Sequence, residues 1–135
     1  MDYRVVPTIC TYCGCGCGIN LEVMEGKVTR ALPVKTSPVN EGKLCIKGWN
    51  IHEFIHHPER LTKPLLRRNG QFEAVSWDEA LDYLAKELAR IKETYGPDSI
   101  GFLVSAKCTN EDNYVAQKFA RAVIGTNNVD HCARL

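Results

Sequence analysis

Long apolar runs are missing from this sequence. No stretch approaches the roughly 18–20 residues that a membrane span needs, so no direct membrane span is expected. The opening residues MDYRVVPTIC lack a basic segment followed by an apolar one. No secretory signal is therefore expected, and the chain is read as cytoplasmic. An excess of one charge sign is missing too. Lys and Arg number 17 against 16 Asp and Glu, a net charge of +1. Such a balance gives no electrostatic reason to wrap nucleic acid or to lie on an anionic membrane. There is no internal repeat and no low-complexity stretch. With 44% hydrophobic and 24% charged residues, the composition is that of a folded chain. Its 135 residues suffice for one ordinary domain or for a piece of a larger one.

Cysteine is the residue in excess. There are seven: Cys10, Cys13, Cys15, Cys17, Cys45, Cys108 and Cys132. An odd number without a secretory signal argues against a disulfide framework. Clustered thiols in a reducing compartment more often hold a metal. The preferred pattern is Cys10-x2-Cys13-x3-Cys17, with Cys45 far downstream. Three thiolates on one tight loop and a fourth from a returning segment suit the iron corners of a [4Fe–4S] cluster. Structural zinc is the competing reading, but it usually presents two separated Cys pairs, or Cys with His. Cys45 has no cysteine beside it, and His52 and the pair His56-His57 lie further on. A second register, Cys10-x2-Cys13-x-Cys15, also stays open and would leave Cys17 free. Gly14, Gly16 and Gly18 suit either register, because glycine lets backbone N–H groups turn toward cluster sulfurs. In the preferred register Cys15 is a spare thiol next to the cluster. Cys108 and Cys132 read as small buried apolar residues. His56-His57, just before Pro58, reads as a solvated helix end.

The chain then divides in two. Residues 19–23 alternate apolar and polar as a strand does, Glu25-Gly26 is a hairpin turn signal, and residues 27–33 form the return strand. Residues 34–42 are a loop that delivers Cys45-Ile46-Lys47-Gly48. This first part is poor in large apolar residues, so a cluster is expected to stand in for a core. A short helix is expected over residues 49–57, ended by Pro58. Residues 61–66 look extended, and residues 68–71 turn. Ser76-Trp77-Asp78-Glu79 is a capping box. Trp77, Leu81, Leu84, Leu88 and Ile91 follow on one helical face, and Gly96-Pro97 stops the helix. Residues 100–105 read as a short buried strand. A further helix opens at Asn110, with Val115, Phe119 and Ala122-Val123 on its inner face, and closes at Gly125. The expected fold class is α+β. A small β-rich [4Fe–4S] domain spans residues 1–59, and the incomplete beginning of an α/β domain spans residues 60–135.

CTYCGCGC, GKLCIKG, SWDEAL and NYVAQKFARAVIGTNNVD followed by CAR occur in that order. Together they resemble the N-terminal part of the catalytic subunit of molybdenum- or tungsten-dependent formate dehydrogenases. Those enzymes belong to the molybdopterin oxidoreductase family with two pterin guanine dinucleotides. The cysteine motif points only to the wider family, whereas residues 113–134 are more particular. The resemblance implies Cys10, Cys13, Cys17 and Cys45 as cluster ligands, with Cys15 departing from the family pattern. It implies Lys47 on the electron path between cluster and pterin, where an ammonium would stabilise the added electron. Lys107, Cys108 and Thr109 follow a strand end, where α/β sheets place ligands, and are candidates to touch the pterin dinucleotide.

The resemblance also implies that the catalytic metal ligand, selenocysteine or cysteine, comes directly after Leu135, with a histidine behind it. No catalytic residue is then expected within the chain. The expectation is a selenocysteine codon read as a stop, and no formate turnover by these 135 residues alone. Implied cofactors are one [4Fe–4S] cluster and, in the full-length parent, a Mo or W bis-molybdopterin guanine dinucleotide. Implied partners are the rest of the subunit, iron–sulfur electron-transfer subunits, and formate or CO2. Two alternatives remain: a free-standing iron–sulfur electron-transfer module, and a fragment of another molybdopterin oxidoreductase such as a nitrate reductase.

Overall fold

A computed structural model describes residues 2–132. Residues 133–135, which the resemblance sets just before the catalytic ligand, lie outside the described residues. The chain mixes strands and helices in the α+β manner expected, and it divides into two compact units.

The first unit holds residues 2–60, 103–116 and 131–132. Its sheet has three antiparallel strands in the order β1 (Tyr3–Ile9), β2 (Gly18–Met24), β3 (Lys27–Pro33). The second and third match the strands read from the alternation. Met24 pairs with Lys27 across the two-residue turn Glu25-Gly26, both at positive φ, as a type I′ hairpin requires. Strand β1 was not foreseen. Pro7 sits inside it, which only an edge strand tolerates, and β1 is the edge. Ile19 and Ala31 are buried from the sheet, joined by Cys10 and Ile51, with Tyr12, Cys17, Leu21 and Leu44 packed against them. So this half has a small apolar core of its own beneath the cysteines.

The helix expected over residues 49–57 is instead α1 (Ile46–Trp49), followed by turns. Asn50 explains the early stop. Its side-chain Nδ2 donates to Ile46 O at 2.8 Å, and an Asn bonding its own backbone ends a helix. His56 is more than a solvated helix end, since its Nε2 accepts the Val28 N–H on β3 at 2.9 Å.

The second unit holds residues 61–102 and 117–130. A hairpin of β4 (Leu65–Arg68) and β5 (Gln71–Ala74) precedes α2 (Trp77–Tyr95). Ser76 caps α2, its hydroxyl accepting the Glu79 N–H at 3.2 Å. The reciprocal half of the capping box is not seen: the Glu79 carboxylate pairs with Arg68 instead. The apolar stripe of α2 is not a buried face, with Trp77 67% and Leu81 54% exposed. The apolar centre of this unit is elsewhere. Ile100, Ala120 and Ile124 are buried, and Phe102 meets Phe119 edge-on at 5.9 Å between ring centres.

Strand β6 (Phe102–Val104) pairs with β7 (Val129–His131) in a two-stranded sheet. It is shorter and less buried than expected, with Leu103 89% exposed, because two strands cover little of each other's faces. Helix α3 (Asn110–Phe119) runs into a π-helical turn, Ala120–Ile124, and Gly125 closes it in the left-handed conformation. Its expected inner face is likewise displaced. Val115 and Val123 are exposed, while Ala120 and Ile124 are buried; the wider turn rotates the residues at its far end, Val123 outward and Ile124 inward.

Candidate metal centre

The cysteine loop is the connection between two paired strands. Ile9 of β1 faces Gly18 of β2, and the next bond of the ladder is made by the cysteines themselves, Cys10 N–H donating to Cys17 O at 2.8 Å. The hairpin therefore sets Cys10 and Cys17 opposite each other, with Cys13 and Cys15 on the loop between them. Gly16 turns the loop at φ 73°, where a side chain would be strained.

Cys45 arrives on the segment that follows β3. Asn40, buried, anchors that segment. Its Oδ1 accepts the Gly18 N–H at 2.9 Å. Its Nδ2 donates to Gly18 O at 3.2 Å and to Lys43 O at 2.9 Å. One amide thus ties the residue after Cys17 to the residues just before Cys45. No sequence signal marked Asn40, because its partners are remote along the chain.

A cavity of about 560 Å³ results, lined by Cys13, Cys15, Cys17 and Cys45 together with Asn40 and Leu44. Cys10 is 5% exposed and belongs to the apolar cluster beneath. Burial pushes its thiol above the ordinary value, with Cys13, Cys45 and Cys15 near enough to add to the effect. Cys17 is pushed up to about 11, by burial first and then by the Cys15 sulfur at 3.6 Å. Cys45 goes the other way. The backbone N–H of Gly48 faces its sulfur, the N–H and ammonium of Lys47 assist, and the thiol is held below its ordinary value. Cys15 is thus on the cavity, so the geometry leaves both loop registers available.

Among the described residues, no three Cys, His, Asp or Glu side chains converge as they would on a single ion. The thiols are spread around a volume, and a cubane asks for that spread, since each thiolate binds a different iron. Soft sulfur donors, a cavity and backbone N–H groups aimed at a sulfur fit such a group chemically.

The remaining expected residues lie apart from the cavity lining. Lys107 and Cys108 are tied back to Ser105: Lys107 N–H donates to its Oγ at 3.0 Å and Cys108 N–H to its O at 3.2 Å. Thr109 and Asp112 cap α3 reciprocally. Thr109 Oγ1 donates to the Asp112 carboxylate at 2.8 Å and accepts the Asp112 N–H at 3.1 Å. Cys132 is exposed rather than buried. Its sulfur lies 3.3 Å from Ser105 Oγ and accepts the Ala106 N–H at 3.4 Å, contacts that lower its thiol. Asn110, the first residue of α3, donates from Nδ2 to Gly14 O at 2.8 Å and so reaches the cysteine loop.

Residues 3–57 match the molybdopterin oxidoreductase Fe4S4 domain, and residues 60–135 match molybdopterin oxidoreductase. The F420-dependent formate dehydrogenase 1 subunit alpha of Methanococcus maripaludis is 55% identical over 135 residues, which are 100% of this chain and 19% of that protein. The F420-dependent formate dehydrogenase subunit alpha of Methanocaldococcus jannaschii is 51% identical, with the same shares covered. A putative formate dehydrogenase of Staphylococcus aureus is 48% identical over 97% of this chain and 13% of its own length. Among solved structures, acetylene hydratase from Pelobacter acetylenicus superposes with a TM-score of 0.75 at 25% identity, over 93% of this chain and 18% of that one. The chain thus spans a fifth or less of the length of the relatives it matches.

Proposed function

This chain belongs to the molybdopterin oxidoreductase family, and from that premise we propose that Cys10, Cys13, Cys17 and Cys45 hold one [4Fe–4S] cluster in a protein that interconverts formate and CO2. The observation that carries the cluster reading is the cavity on which loop cysteines and Cys45 meet. When bound, the cluster supplies a one-electron relay. The rest is the work of the chain's own residues. The hairpin fixes Cys10 against Cys17, Asn40 fixes the approach of Cys45, and the Gly48 and Lys47 N–H groups stabilise negative charge on the Cys45 sulfur. Lys47 adds a positive charge on the electron path.

The formate reading rests on the named activity of the relatives. Formate oxidation yields CO2, a proton and two electrons. A relay that takes one electron at a time must act twice per formate. In the complete protein the oxidation would occur at a Mo or W pterin centre, with iron–sulfur subunits as onward acceptors in the cytoplasm. Lys107, Cys108 and Thr109 are proposed to face the pterin dinucleotide, and residues 1–59 and 60–135 to be the two domains. Among the described residues, no helix is long and apolar enough to cross a membrane.

Anaerobic reconstitution of the chain with iron and sulfide tests the cluster reading. About four irons and four sulfides per chain are expected, with an EPR signal that appears on reduction. Cys13→Ala and Cys45→Ala should lose the cluster, while Cys15→Ala should keep it. Loss in Cys15→Ala with retention in Cys17→Ala would move the ligand set to the other register. One tightly held zinc and no stable iron would overturn the reading.

A further inference from the structure

We infer that Tyr12 is a positioning residue whose ring holds the Lys47 ammonium beside the cluster cavity and thereby sets the reduction potential of the cluster. The inference rests on the cluster reading above. Tyr12 lies on the loop between Cys10 and Cys13, and Lys47 lies in α1, two residues after Cys45. The two ligand-bearing segments meet through this pair: the Lys47 Nζ sits over the Tyr12 ring, 5.0 Å from its centre. That is the range in which a ring face attracts a cation.

Both partners are restrained. The ring packs against the buried cluster of Cys10, Ile19, Ala31 and Ile51, so it cannot swing away freely. Lys47 is half-buried and lies on the first turn after Cys45, two residues away. A lysine side chain has many rotamers and loses considerable entropy when held in one. An ammonium without the ring would spend much of its time in solvent, where screening removes its effect on the cluster. With the ring, the charge stays in place and favours the reduced, more negative state.

The test is an EPR-monitored redox titration of the reconstituted chain. Lys47→Gln should lower the midpoint potential. Tyr12→Leu should lower it in the same direction and by a comparable amount, with iron and sulfide content unchanged. Tyr12→Phe keeps the ring face and should restore the wild-type value. In the Lys47→Gln background, Tyr12→Leu should shift nothing further, a non-additivity that a merely structural ring would not produce. Should Tyr12→Leu fail to load, pentafluorophenylalanine at position 12 preserves the shape and reverses the ring's electrostatics, and it should lower the potential. A fully loaded Tyr12→Leu or pentafluoro chain with a wild-type potential overturns the inference. A wild-type chain that loads no cluster overturns the underlying reading instead.

Discussion

Asn40 shows what a single amide does at this site. It accepts one hydrogen bond and donates two, all to backbone, and it is buried. Asn40→Asp keeps the acceptor but removes both donors and sets a negative charge against two carbonyls. The expected loss is about 2–3 kcal/mol, read as a lower urea midpoint with an unchanged slope. An unchanged midpoint would mean that Asn40 is not the anchor. Cys132 offers a second residue-scale test, this time in pH. Its thiol is lowered by Ser105 first and by the Ala106 N–H next. A lowered thiol ionises at lower pH, so alkylation of Cys132 should rise with pH earlier than that of a free cysteine. Ser105→Ala should move that rise to higher pH, as followed by mass spectrometry of iodoacetamide adducts. A profile unmoved by the substitution would show that the hydroxyl does not act on the sulfur.

Two contacts between elements are equally open to measurement. The Asn110 amide donates to Gly14 O, and a Cβ on Gly14 would lie 2.6 Å from the Asn110 Oδ1. Gly14→Ala must turn Asn110 aside and so forfeits that bond, at a cost of about 1 kcal/mol. Asn110→Ala should cost about as much, and the double variant no more than either alone. Simple addition of the two losses would show that the residues act separately. His56→Ala leaves the Val28 N–H of β3 without its partner and should cost about 1 kcal/mol, again by urea unfolding.

Elements were legible where the signal is local. The 27–33 strand, the Glu25-Gly26 turn, the Ser76 cap and the Gly96-Pro97 stop all depend on neighbours in sequence. Strand β1 escaped because Pro7 interrupts its pattern, and α1 was misplaced because Asn50 competes for the helix's own carbonyl. The spacing of the loop cysteines pointed to the cavity. Asn40 and Tyr12 did not stand out, since their partners come from remote segments.

At the scale of the molecule, the apolar stripe of α2 is the informative feature. Periodicity says that a face is apolar, not that anything is packed on it. Trp77, Leu81, Leu84 and Tyr95 of α2 are all more than half exposed. Monomeric soluble proteins seldom expose contiguous apolar patches of large area. The 135-residue chain is therefore expected to bind a hydrophobic dye such as ANS and to self-associate as its concentration rises. Leu81→Lys with Leu84→Lys should reduce both, as measured by dye fluorescence and sedimentation. Dye binding and association unaltered by the pair would locate the sticky surface elsewhere.

The backbone hydrogen bond from Cys10 N–H to Cys17 O has a consequence for assembly as well. Pairing across a short hairpin costs little chain entropy, whereas bringing in Cys45 closes a longer loop. Gathering the thiols of residues 10–17 therefore costs less chain entropy than adding the Cys45 sulfur to them. On the proposed ligand set, iron is expected to be held first by the loop thiols and then by Cys45, an order that follows from the hairpin.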